Sequence, residues 1–157
     1  MEIIYHDVNR FAAIPNETID DSDSLDLPAL GMLTVFLRHR SGWTVTLDHL
    51  SRKYGHGETA LANMMGQLQV ARYVVKLRVQ EHGTGLLSVK IIVSSAPLTD
   101  QDIQSYVSQV SAHETVRSVT VMPPGKEAVR RAKERRAKLA ERKGRSIYRK
   151  GKQGRTT

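Results

Sequence analysis

An α+β fold is predicted for this 157-residue chain, a three-helix core with a β-hairpin appended, and two observations predict it. Between Leu27 and Tyr73 apolar residues recur at helical spacing in three runs, and the second and third meet at the glycine-bracketed turn Gly55-His56-Gly57. After Arg72 the period shortens to that of a strand: Tyr73, Val75, Leu77 and Val79 alternate with Val74, Lys76, Arg78 and Gln80, EHGTG turns the chain, and Leu87, Val89 and Ile91 resume the alternation. Helix, turn, helix, hairpin is the order of a winged helix-turn-helix. The expected architecture is therefore a three-helix core with a β-hairpin wing, followed by an accessory amphipathic helix and a basic helical or disordered tail.

The segment 1–26 precedes the core. In it, Phe11 to Ile14 reads as a short strand halted by Pro15, which lacks a donor, and NETIDDSDS reads as an acidic loop. The domain 27–93 opens with a helix that Asp26 can N-cap and whose first turn tolerates Pro28. Leu27, Leu30, Leu33, Val35, Phe36 and Leu37 supply its buried face. Arg38-His39-Arg40 suits the last turn, and Ser41-Gly42 ends it. Trp43 to Thr46 is β-prone, and Thr46 is also placed to cap the helix Leu47 to Tyr54. The third helix starts at Glu58 and runs toward Tyr73. It turns Leu61, Met64, Met65, Leu68 and Ala71 inward and leaves Thr59, Asn63, Gln67 and Val70 on the opposite side. Its two methionines are core filler rather than a cofactor box.

Beyond the hairpin, in 94–125, Thr99 to Asp102 has capping-box spacing with aspartate in place of the usual glutamate. Ile103, Tyr106, Val107 and Val110 form a helical stripe. Such a helix packs on its own domain or pairs with a second copy, and a homodimer is the sharper expectation. Val116 to Met122 reads as a strand, and Pro123-Pro124-Gly125 as the boundary of the packed part. The tail 126–157 is rich in helix-forming Ala, Arg, Lys and Glu, but only Val129, Leu139 and a few alanines are candidates for burial. A helix there would face solvent or form on a polyanion, and GRSIYRKGKQGRTT would be disordered alone.

Charge divides the chain sharply. Residues 1–27 carry −6, 28–93 carry +5, 94–125 carry −2 and 126–157 carry +11, so the tail exceeds the total of +8. Such asymmetry points to a polyanion, because each Lys or Arg that meets a phosphate releases condensed counterions; a solubilising tail is the plainer alternative. Cysteine is absent, which removes disulfides and thiolate metal sites and favours a reducing, cytoplasmic compartment. No run of about 18 apolar residues occurs and the first residues lack a secretory pattern, so neither secretion nor a membrane partner is expected.

The run Ile14-Pro15-Asn16-Glu17-Thr18-Ile19-Asp20-Asp21, then Leu27 to Leu33, Gly42-Trp43, Leu47 to Leu50, Gly55 to Gly57, Leu61 to Leu68 and Ala71 to Val74, resembles the winged-helix proteins of bacterial phages, plasmids and replication modules. It is similar to the N-terminal domain of DnaD-like replication proteins. The resemblance implies double-stranded DNA as partner, with helix 58–72 in the major groove and the wing on the backbone or minor groove. Arg72 stands where those proteins usually have glycine, so a residue that dislikes positive φ must make the turn into the wing. The helix also offers no Lys or Arg before Arg72. Asn63 and Gln67 would then pair with adenine edges and Thr59 with a phosphate or thymine methyl. Counterion-driven affinity would come from Arg52, Lys53, Arg72, the wing cations Lys76, Arg78 and Lys90, and tail residues such as Arg130, Arg131, Arg135 and Arg136. Lys76, Arg78 and Lys90 share parity along their strands and are expected on one basic face, which a solvated outer face would equally require.

Six scattered histidines show no metal-ligand pairing. GHGETA lies between two helices rather than after a strand, and no serine sits in a nucleophile elbow. The DDSDSLD cluster reads as a solvated loop rather than a two-metal site. Neither enzyme activity nor a cofactor or metal is expected. The leading functional expectation is a DNA-binding regulator or replication-module protein. The alternatives are a protein-interaction module that binds a polymerase, replisome, transcription or phage partner, and RNA binding through the tail, since alanine- and arginine-rich helices that fold on RNA share this composition.

Overall fold

A computed structural model describes residues 1–5, 13–39 and 42–153. Among them the elements run β1 (Glu2–Tyr5), α1 (Asn16–Ile19), α2 (Leu27–Arg38), α3 (Leu47–Tyr54), α4 (Glu58–Val70), β2 (Val74–Glu81), β3 (Leu87–Val93), α5 (Asp100–Ser111), β4 (Val116–Met122) and α6 (Lys126–Gln153). The fold is α+β. Its four-stranded mixed sheet has the order β1-β3-β2-β4, with β1 parallel to β3 and β2 antiparallel to both β3 and β4.

Local chemistry accounts for the helix ends. Asp26 caps α2 by accepting from the Ala29 N–H at 2.9 Å, and Thr46 caps α3 by accepting from the His49 N–H at 3.1 Å. Gly55 closes α3 at φ +74°, in the left-handed region where a side chain is disfavoured. Arg72 makes the turn into β2 at φ +66°, and it is held there from two sides. Its carbonyl accepts from the Leu98 N–H at 2.8 Å, and its guanidinium pairs with Asp100. Thr99 and Asp102 complete the capping box of α5.

Two apolar clusters cover the two faces of the sheet. Phe36, Leu33, Leu68, Tyr73 and Val74 pack with Ile3, Ile91 and Val93 between α2, α4 and one face. Val75, Leu77 and Ile92 pack with Leu98 and Ile103 beneath α5 on the other. Each fully buried Leu, Ile or Phe contributes about 1.5–3 kcal/mol, so the first and larger cluster carries most of the stability.

Several expectations change. The N-terminal strand is Glu2–Tyr5 rather than 11–14; Phe11 and Ala12 lie outside the described residues, and Ala13 and Ile14 are not in a strand. The acidic loop contains a turn of helix, α1, fixed by the Thr18 hydroxyl donating to the Ser95 carbonyl at 2.6 Å. Leu27 is 83 % exposed, because its place at the first position of α2 points it away from the core. The last turn of α2 ends at Arg38, and Arg40 and Ser41 lie outside the described residues. Trp43 to Thr46 pairs antiparallel with the start of the chain as a bridge, Thr44 to Glu2, flanked by the Ile3 N–H donating to the Trp43 carbonyl at 2.9 Å and the Val45 N–H to the Met1 carbonyl at 2.7 Å, with Trp43 stacked on His39 at 3.4 Å. The α5 stripe that suggested a homodimer packs on its own sheet: Tyr106, Val107 and Val110 lie against Ile103 and Leu77. Pro123 does not bound the packed part. The helix α6 follows it, lies against α4 and continues to Gln153, through much of the stretch expected to be disordered.

Candidate functional site

The helix α6 spans 28 residues, about 42 Å at 1.5 Å per residue. It has no broad apolar stripe. Ala128, Ala132, Arg135 and Leu139, at helical spacing, are its half-buried residues, while Val129 is 37 % exposed. What lets it approach the body is a pair of small residues. A Cβ placed on Gly66 of α4 would come within 2.8 Å of the Ala128 Cβ, so the two helices meet where α4 has no side chain. A glycine inside a strong helical pattern was the one sequence signal of this crossing.

Polar groups complete the joint. The Arg135 guanidinium donates to the carbonyls of Ser22 at 2.7 Å and Leu25 at 3.0 Å, and to Gln67 Oε1 at 3.4 Å. Gln67 in turn accepts from the Asp26 N–H at 3.0 Å and donates to Asp26 Oδ2 at 2.9 Å. Further along, Lys143 Nζ lies 2.9 Å from Asp23 Oδ1. Lys143 first, then Arg136 and Arg135, hold the Asp23 carboxyl below the usual carboxylate range. The acidic segment before α2 and the cationic helix thus meet within one chain. Between them and α4 runs a groove of roughly 760 Å³, lined by Asp23, Asn63, Gln67, Arg136, Lys138 and Arg142 among others.

This arrangement redistributes the residues expected to touch DNA. Gln67 is committed to Asp26 and Arg135, and Asn63 is half-buried beside the groove, so the polar side of α4 faces another part of the chain rather than a duplex. Thr59 is exposed at the start of α4. Arg52 pairs with Asp48 one turn earlier, and Lys53 sits 5.5 Å from the Tyr54 ring. Arg72 is engaged with Asp100.

The wing cations do not form one face. In the hairpin register Lys76 opposes Ile91 and Arg78 opposes Val89, whereas Lys90 opposes Leu77, so Lys90 lies on the α5 side of the sheet and pairs with Glu2 at 2.8 Å. Parity along separate strands does not fix the face; the register does. Lys76 is half-buried, and burial lowers its ammonium pKa; Arg78 is exposed.

On α6, Arg130 is clamped between Glu127 and Glu134, and Arg131 lies 3.2 Å from Glu127. Arg136 is exposed. Lys126, Lys133, Arg136, Lys138, Arg142 and Arg145 are exposed and form no ion pair with a carboxylate among the described residues. These cations, of which Arg136, Lys138 and Arg142 line the groove while Lys126, Lys133 and Arg145 lie outside its lining, are the strongest candidate site, rather than α4. Sequence reasoning named Arg136 but passed over Lys133, Lys138 and Arg142, read Asp23 as part of a solvated loop, and assigned no role to Lys143.

Among the described residues no group of three or more His, Asp or Glu converges as a metal site would require, and no helix is long and apolar enough to cross a membrane. No curated protein and no solved structure matches the chain. A family model does match residues 96–157, under half of the chain, and its description is copper amine oxidase, N2 domain. That segment contains α5, β4 and α6. With no cysteine and no converging donors among its described residues, it does not fit a copper centre. The match overturns the resemblance to phage, plasmid and DnaD-like winged-helix proteins: the family found is not a DNA-binding one, and the roles in DNA binding, transcription regulation and DNA replication that came with that resemblance are withdrawn.

Proposed function

We propose that the chain is a non-enzymatic RNA-binding protein whose helix α6 carries the contact surface and whose body holds that helix in place. The supporting observation is the set of six exposed cations on α6 that have no carboxylate partner among the described residues, arrayed on a helix already ordered by its joint with α4. A helix formed in advance avoids much of the ordering cost that a disordered arginine-rich segment incurs on binding. The body, on this reading, is a winged helix in architecture alone; the order α2, α3, α4, β2, β3 and the bridge at Thr44 support that description of shape.

A second reading, a protein-interaction module, is favoured by an apolar groove of roughly 240 Å³ between α2, α3 and α4. Met32, Val35, Leu61 and Met64 line it, with the exposed Tyr54 at its side.

Titration of the full chain with a structured RNA, at several salt concentrations and alongside duplex DNA of equal length, tests the RNA reading. Binding should favour RNA and weaken steeply with salt. Reversing Lys133, Arg136, Lys138 and Arg142 to Glu should lower affinity at least about 100-fold at low salt. Absence of RNA binding at low salt, or binding that survives the reversal, overturns it.

A further inference from the structure

Resting on the RNA reading, we infer that the groove between α6 and the acidic segment 20–26 is a phosphate subsite in which the Asp23 carboxylate is the resident, displaceable anion. The cations there already face a negative group: Lys143 lies 2.9 Å from Asp23, and the groove beside it is lined by Arg136, Lys138 and Arg142. Arg135 fixes the floor by holding the Ser22 and Leu25 carbonyls. A carboxylate in that place presents two of the oxygen acceptors that a phosphate presents as three.

The resident is weakly held. Both members of the Asp23–Lys143 pair are largely exposed, at 59 % and 65 %, and an exposed pair of that kind contributes little. The segment that carries it cannot follow a departing helix, because Leu25 is buried and the Tyr73 hydroxyl donates to Asp21 Oδ2 at 2.8 Å. Three other carboxylates line the groove, but each is already engaged, Asp26 with the Ala29 N–H and Gln67, and Glu127 and Glu134 with Arg130 and Arg131. An incoming phosphate therefore has to displace Asp23 alone, and cations at the groove wall remain to bind it. The free cations Lys126, Lys133 and Arg145 meet no such competitor among the described residues. The subsite makes the inner side of α6 selective for densely phosphorylated ligands, whose second negative charge outbids Asp23.

The test is calorimetric titration of the full chain with inorganic pyrophosphate and, separately, with a structured RNA. Asp23→Asn is compared with Glu114→Gln, which makes the same change in net charge at an exposed site in the turn after α5. Asp23→Asn should tighten pyrophosphate binding about two- to fivefold, the range that loss of an exposed ion pair allows, and Glu114→Gln should leave it unchanged. Arg142→Ala in the Asp23→Asn background should abolish the gain. Equal tightening by both acid-to-amide changes, or none by either, overturns the subsite. Selective tightening with no RNA binding by any variant upholds it and overturns only the RNA reading.

Discussion

The helices α4 and α6 lie against each other, yet they are held in opposite ways. In α4, Leu61, Met64, Met65 and Leu68 are buried and tie the helix into the main core. In α6 the contact rests on one small side chain, Ala128, set against the bare backbone of Gly66, on one guanidinium and on one ion pair at the far end. The difference shows what the polar side of α4 is for. Asn63 and Gln67 read as a surface offered to an outside partner, but with Gly66 between them they receive the chain's own C-terminal helix. A polar helix face is as compatible with an internal joint as with a ligand, and what separates the two is the presence of a residue small enough for another backbone to come close.

Three perturbations sharpen this contrast. Phe36→Ala strikes the core side, where the ring is fully buried, and should cost about 3–5 kcal/mol in denaturant unfolding, with α6 lost along with everything else. A loss below about 1 kcal/mol would mean that the core is not the source of stability.

The next effect is a pH dependence at the edge of the joint. Burial, reinforced by the hydrogen bond to Asp21, pushes the Tyr73 phenol up to about 12 from 10.0. Because the folded value is raised, the associated stability is fully present below pH 10 and falls away as pH rises from about 10 to 12, by a few kcal/mol at most. Tyr73→Phe should flatten that part of the stability profile. An unchanged profile would remove Tyr73 as the anchor of the acidic segment.

Gly66→Ala is the smallest in magnitude and the most local. Alanine adds about 1 kcal/mol of helix propensity to α4, but its Cβ would overlap Ala128 at 2.8 Å. Global stability should change by less than about 1 kcal/mol, while amide exchange in the first half of α6 accelerates. Adding Ala128→Gly should restore the slow exchange. If exchange in α6 is indifferent to both changes, the small-residue contact is not what seats the helix.

Much of the body was legible because its determinants are local. Asp26, Thr46 and Gly55 mark helix ends through their own side chains or backbone freedom, and the change of period after Arg72 locates the hairpin to within a residue or two. The candidate site was legible only in part. The cationic run announced itself, but Arg135 acts on backbone carbonyls 110 and 113 residues earlier in the chain, and such targets leave no pattern in a sequence. Lys90 went to the wrong face for a related reason, since only the pairing of Leu77 with Lys90 decides the side on which it stands. The β-prone stretch at Trp43 was legible as extended backbone, but its partner was not: it pairs antiparallel with the first residues of the chain, through the bridge of Thr44 to Glu2 and hydrogen bonds with Met1 and Ile3.

The connection between β4 and α6 is only Pro123-Pro124-Gly125. Three residues reach at most about 10 Å, so the near end of α6, once undocked, stays close beside its own seat. A leash that short keeps the effective concentration of the undocked helix high, in the millimolar range typical of short tethers, and recapture competes continually with any visitor. Opening of the joint should therefore be frequent and brief, and a ligand that holds it open must do so with many simultaneous contacts rather than one strong one.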